Sequence, residues 1–220
     1  MVDYVESEEE QIAKVKKWWD ENGKAIAVGV IIALAGTFGL KAWDAHKIET
    51  GEAASELYQN MLNQLSSVEQ NEESDLLASG LASQLKTEFT GTIYSYYAAW
   101  FMAKEAIGKG DLAAAESELR WAAENGASGS IEMITRQRLA KVLIAQDKLD
   151  DALAQVENID AGGHQGMIEE VKGDIYLAKG DATKARAAYK KAFDIASEAG
   201  SRRPLLQMKL NDLAVAAEDA

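Results

Sequence analysis

"GDATKARAAYKKA", residues 180–192, decides the fold of this 220-residue chain, because a second stretch repeats its plan. "GDLAAAESELRWA" at 110–122 has the same Gly-Asp start, an alanine five residues after the glycine, an apolar residue nine after it and an alanine twelve after it. Between them, "DKLDDALAQVENI" at 147–159 keeps the alanine at five and the apolar residue at nine, with Asp147 in the glycine's place and Ile159 where the last alanine stands. The aligned alanines, Ala115, Ala152 and Ala185, are 37 and 33 residues apart. Twelve residues before each stands another small residue: Ala103, Ala140 and Gly173. Self-similarity at this period marks stacked helical hairpins, each too small to bury its apolar face alone. The six small residues belong where the two helices of a hairpin touch most closely. The turn glycine allows the left-handed backbone that ends the first helix.

This pattern resembles the tetratricopeptide repeat, in which helix A, a tight turn and helix B fill about 34 residues. Gly173, Tyr176, Gly180, Asp181, Ala185, Tyr189 and Ala192 carry the likeness in the third repeat, and the middle repeat matches less well. The family's proline after helix B is missing from all three, and Trp100 stands one residue from its usual tryptophan position. The repeats fall at about 96–129, 133–166 and 166–199. Helical stretches at 49–66 and 74–88, separated by the polar "SVEQNEES", make an N-terminal cap over 49–88. The helix after Pro204, within 202–216, closes the other end. A single proline among 220 residues rich in Ala, Leu, Glu and Lys fits an all-α chain.

Upstream lies "KAIAVGVIIALAGTFGLKAW", residues 24–43, with sixteen uncharged residues from Ala25 to Leu40. Sixteen residues of helix cover roughly 24 Å of a hydrocarbon core about 30 Å thick. The flanks supply the rest. Lys24 and Lys41 can snorkel to the headgroups, and Trp18, Trp19 and Trp43 are suited to the two interfaces. A cleaved signal peptide fits less well, because its leading region would be 24 residues long and net negative, with no small-x-small site after Leu40. A single transmembrane helix over 24–43 is expected. Lys14, Lys16, Lys17 and Lys24 precede the span, whereas Lys41 and Lys47 follow it. This bias puts residues 1–23 in the cytoplasm and residues 44–220 outside it.

Before the span, Ser7 and Glu10 form a capping-box pattern, Ile12, Val15 and Trp19 share one helical face, and Asn22-Gly23 reads as a helix stop. Within the span, Ala25, Gly29, Ala33 and Thr37 recur every four residues. Small side chains at that spacing let a partner helix pack closely in the membrane.

Composition narrows the chemistry. The formal net charge is −13, so binding to nucleic acid is not expected. The chain has no cysteine and two histidines, His46 and His164, which removes disulfides, thiol catalysis and nearly every soft-metal site. His164 sits in "GGHQG", where no strand precedes and no lysine follows as in a phosphate loop. No constellation fits a reaction, so neither an enzyme nor a cofactor is expected. Binding remains. In tetratricopeptide stacks the A helices line a concave groove. The resemblance places Tyr97, Trp100, Lys104 and Ile107 of repeat one there, with Ile134, Gln137, Lys141 and Ile144 of repeat two. Met167, Glu170, Asp174 and Leu177 are the third repeat's share. A groove so rich in apolar and aromatic residues suits extended or partly unfolded polypeptide better than an acidic tail.

The arrangement, and "KKWWDENGKAIAVGV" at 16–30 above all, resembles the YfgM family, the ancillary SecYEG translocon subunits of Gram-negative bacteria. The likeness runs the whole chain to the closing "LLQMKLNDLA" at 205–214. It implies a single-pass protein of the cell inner membrane with a periplasmic repeat domain. It also implies association with SecYEG and with the membrane-anchored periplasmic chaperone PpiD, and help in passing newly translocated or unfolded polypeptides to periplasmic chaperones. Two other readings fit the same residues. One is an envelope-assembly or cell-division scaffold; the other is a regulator whose residues 1–23 capture a cytoplasmic response regulator.

Overall fold

The computed structural model describes residues 8–66 and 72–218, with side chains as far as Leu213 in the last helix. Among the described residues there is no strand; α-helices and one short 310 turn make up the regular structure. In chain order these are α1 (Glu8–Leu65), α2 (Glu72–Glu88), α3 (Ile93–Gly108), α4 (Leu112–Glu124), α5 (Gly129–Ala145), α6 (Leu149–Val156), α7 (Gln165–Ala178), α8 (Ala182–Glu198) and α9 (Pro204–Glu218). The chain divides into two compact units, 1–52 and 53–220, and α1 contributes to both.

In the first unit α1 carries a segment long and apolar enough to cross a membrane, none of it buried by the rest of the protein. Ile31, Ile32, Phe38 and Leu40 are all more than half exposed, as lipid-facing side chains would be. Thr37 Oγ1 donates to the Ala33 and Leu34 carbonyls at 3.0 and 2.9 Å, which satisfies its hydroxyl inside the helix. The small-residue row Ala25, Gly29, Ala33 and Thr37 is exposed along the same helix. The expected stop at Asn22-Gly23 is not a stop. Helix α1 runs through it, the Asn22 side chain donates to the Trp18 carbonyl at 3.0 Å, and the Trp19 ring lies against Gly23. One mid-helix glycine costs about 1 kcal/mol, too little to end a helix with strong formers on both sides. Ser7 of the capping-box pattern lies outside the described residues.

In the second unit helices pack in pairs: α3 with α4, α5 with α6, α7 with α8. The first helices of the pairs touch in succession, α3 with α5 and α5 with α7, and so share one side of the stack. The small residues stand at the contacts. Ala103, Ala115, Ala140 and Ala152 are buried in one core with Leu119, Leu139, Val156, Ile168 and Ile175. Ala185 is fully buried in a second core around Tyr189. At Gly173 a Cβ would overlap the Tyr189 ring, so only glycine admits that ring at this depth.

The three pairs turn in the same way. After α3, Asp111 N–H bonds the Ala106 carbonyl and Gly110 N–H bonds that of Ile107, at 2.9 and 3.0 Å. Lys148 and Asp147 repeat the two bonds after α5, as Asp181 and Gly180 do after α7. This is the left-handed helix ending, and Asp147 adopts it at φ 59° without being glycine. Asp111 and Asp181 then cap the next helix, accepting from Ala114 N–H and Lys184 N–H. At the N-terminal end, Ala54 and Met61 of α1 pack with Ala78, Ala82 and Leu85 of α2 against Ala98 of α3. At the other end, Leu206 and Leu213 of α9 join the core around Ala185 and Tyr189.

Candidate protein-binding groove

Helix α3 is apolar on nearly every side because it has neighbours on nearly every side. Ala98, Phe101 and Met102 meet α1 and α2, whereas Ala99 and Ala103 meet α4 and the next pair. The strip left over is Tyr97, Trp100, Lys104 and Ile107, and it lines a cavity of about 780 Å³. Helix α5 adds Arg138, Lys141, Val142 and Ala145, and the end of α1 adds Tyr58, Met61, Leu62 and Leu65. Both sets follow i, i+3, i+4, i+7, one face of a helix. Leu112 and Leu119 of α4 close the floor.

One wall is a run of rings. Tyr58 contacts Tyr94 and Tyr97 at centroid distances of 5.4 and 5.7 Å, and Tyr97 contacts Trp100 at 5.4 Å. Burial, with Tyr97 and Tyr94 nearby, raises the Tyr58 hydroxyl above its ordinary pKa, so it stays neutral. The Trp100 indole is fixed from two directions. Its N–H donates to Thr135 Oγ1 at 3.0 Å, and the Arg138 guanidinium lies 4.2 Å from the ring centroid. Thr135 is itself fully buried and donates to the Ile131 carbonyl at 2.7 Å. Partial burial lowers the Arg138 pKa from its ordinary value, although the group remains charged.

Of the residues expected in a groove, the cavity brings together Tyr97, Trp100, Lys104, Ile107 and Lys141. Ile134, Gln137, Ile144, Met167, Glu170, Asp174 and Leu177 do not line it. Ile144 and Met167 pack against the central core. Glu170 and Asp174 are engaged by α9. Arg203 pairs with Glu170, and Lys209 Nζ donates to Glu170 Oε1 at 3.2 Å and to Asp174 Oδ1 at 2.6 Å. The same Asp174 oxygen accepts from the Tyr189 hydroxyl at 2.7 Å. Leu177 stays about half exposed at the end of α7.

Tyr58, Leu62, Leu65, Phe101 and Arg138 also line the cavity, although the repeat pattern does not single them out. The α1 signal was present in "ELYQNMLNQL", whose apolar face is wider than one packing partner needs. Arg138 is adjacent to the expected Gln137, and no pattern in the sequence distinguishes the two. His164 Nε2 lies 2.9 Å from Ser130 Oγ across a loop and takes no part in the groove.

A family model described as a tetratricopeptide repeat-like domain matches residues 16–215. A protein of Haemophilus influenzae named "Ancillary SecYEG translocon subunit" is 31% identical over 212 residues, covering 96% of this chain and 99% of its own. One of the same name in Escherichia coli is 28% identical over 96% of this chain and 98% of its own, and one in Aggregatibacter actinomycetemcomitans is 30% identical over 96% and 99%. No solved structure matches. Helical repeats and translocon-subunit relatives together point to protein interaction rather than catalysis. With the repeat-like match running from before the span to the last helix, the chain belongs to the tetratricopeptide repeat-like family and, within it, to the ancillary SecYEG translocon subunits, the YfgM family.

Proposed function

We propose that this protein is a membrane-anchored adaptor at the Sec translocon that helps pass newly translocated proteins to periplasmic chaperones. The open apolar groove of α1, α3 and α5 carries the reading, because it offers aromatic and aliphatic surface to a polypeptide from a rigid helical frame. The names of the relatives support association with SecYEG. The lysine bias across residues 24–43 supports a cytoplasmic segment 1–23 and a periplasmic repeat domain 44–220 in the inner membrane. The row Ala25, Gly29, Ala33 and Thr37 is the surface for a neighbouring helix in the lipid bilayer. Translocating or unfolded polypeptide and the anchored chaperone PpiD are the partners that suit the groove.

The test is photo-crosslinking in living cells from a photoreactive residue at Leu62 or Ile107, both exposed on the groove. Adducts with emerging chains or with the chaperone are expected. Adducts formed only from the opposite side of the stack, for example from Arg186 on α8, would overturn the assignment.

A further inference from the structure

The groove carries charge of one sign. The chain has a formal net charge of −13, yet among the described residues no carboxylate lines the groove, and its charged groups are Lys104, Arg138 and Lys141. Elsewhere in the repeat domain most lysines and arginines are held by acids. Lys86 pairs with Glu118, Lys148 with Glu116, Lys191 with Glu169, and Lys209 with Glu170 and Asp174. Lys104 and Lys141 make no such pair among the described residues, and Arg138 has only the Trp100 ring. Lys104, Lys141 and Asp174 occupy equivalent places in the three repeats, at the 37- and 33-residue spacings. At the repeat that α9 covers, the position is acidic and filled. At the two repeats that line the cavity it is basic, with no ion pair among the described residues.

We propose that the occupant of this groove is a polypeptide segment whose apolar side chains are flanked by carboxylates. The apolar residues enter the cavity, and the acids meet Lys104, Arg138 and Lys141 at its edge. This rests on reading the groove as a polypeptide-binding site. A neutral apolar segment fills the cavity but leaves three cations partly desolvated without acidic partners, and a segment flanked by lysines is repelled. An acidic tail without apolar residues leaves about 780 Å³ of largely apolar cavity unfilled. Only the combination satisfies both halves of the surface.

The experiment uses the full-length chain in phosphatidylcholine nanodiscs and three labelled peptides. All share one leucine-rich centre with blocked ends, flanked by glutamates, glutamines or lysines. The glutamate peptide is expected to bind at least about tenfold tighter than the glutamine peptide, with the lysine peptide weakest. That gap should shrink as salt rises from about 50 to about 500 mM. The combined variant Lys104→Gln, Arg138→Gln, Lys141→Gln should remove the gap by weakening the glutamate peptide alone. Lys109→Gln with Arg186→Gln, which removes two cations outside the groove, should preserve it. Equal binding of glutamate and glutamine peptides by the wild-type chain would overturn the inference and leave the polypeptide reading standing. Binding of dodecanoate, blocked by Ala145→Trp, with no binding of any peptide would overturn both and assign the groove to lipid-like anions. Glutamate-peptide binding that survives Ala145→Trp would also overturn both, since the peptide would then sit elsewhere.

Discussion

The first and third repeats use the same helix positions to opposite ends. In the third, the side of α7 that carries Glu170 and Asp174 is roofed by α9, where Lys209 and the preceding Arg203 neutralise the acids while Leu206 and Leu213 extend the core below. In the first, the matching side of α3 carries Trp100 and Lys104, and it stays open. The repeat fixes where the face lies; the neighbouring element decides whether that face is core or site. A capping helix that brings its own cations needs acids beneath it. In the open groove, Lys104 and Lys141 make no ion pair among the described residues.

The closed side gives the largest expected effect. Tyr189 is fully buried and bonds Asp174, so Tyr189→Ala should cost about 3–5 kcal/mol in a denaturant melt followed by helicity. A loss below about 1 kcal/mol would mean that the seam of α7, α8 and α9 is not a core. Burial, reinforced by Asp174, raises the Tyr189 pKa well above that of a free tyrosine, so no effect of its ionisation is expected below strongly alkaline pH.

Glycine offers a sharper contrast. At Gly173 a Cβ would run into the Tyr189 ring, and Gly173→Ala should cost about 1–3 kcal/mol. At Gly108, near the end of α3, a Cβ meets nothing, and the same substitution should be neutral or stabilising by up to about 1 kcal/mol. Paired thermal melts decide it; equal shifts of the same sign would reject the close contact at Gly173.

Much of this was legible in the sequence, for a physical reason. Close helix contact demands small side chains, so Ala103, Ala115, Ala140, Ala152, Gly173 and Ala185 announce the hairpins by type and spacing alone. The helix-ending turns announce themselves through Gly110 and Gly180, and even the departure at Asp147 keeps the left-handed backbone. Which face stays open was not legible, because it depends on where α9 and the end of α1 come to rest. Glu170 and Asp174 look like groove residues until Lys209 is seen upon them. The Asn22-Gly23 stop failed for a related reason: a local signal worth about 1 kcal/mol is overridden by continuous helix on both sides.

Between the two regions, Glu116 of α4 ties the first pair to the second. Lys148 Nζ donates to it at 2.7 Å, Arg120 Nε at 2.7 Å and Gln146 Nε2 at 3.0 Å. Those donors, Lys148 first and then Arg120, hold its carboxyl down at about 2. The folded pKa lies below the unfolded one, so the stabilisation is fully present above about pH 4.5 and is lost as pH falls towards 2. Its partners are partly exposed and solvent-screened, which limits the expected contribution to about 1 kcal/mol. Glu116→Gln should therefore melt below the wild type at pH 6, and the two should converge in strong acid. A gap that persists unchanged at the lowest pH would assign the effect to packing instead.

The smallest expected effect sits at the roof of the third repeat. Lys209→Met should cost less than about 1 kcal/mol, because Arg203 and the Tyr189 hydroxyl still serve Glu170 and Asp174. A loss of several kcal/mol in the same melt would make Lys209 the main tie rather than one of three.

The difference between the open and the covered face is tested most directly by blocking each and measuring partner binding by the full-length protein. Ala145→Trp with Ile107→Glu obstructs the groove without removing a buried side chain, and Leu177→Glu with Leu205→Glu alters exposed positions beside the covered face. The first pair should weaken recovery of partner proteins from solubilised membranes by at least about tenfold with the melting temperature unchanged, and the second pair should leave recovery intact. Loss of binding in the second pair alone, with the first pair binding as the wild type does, would contradict the account.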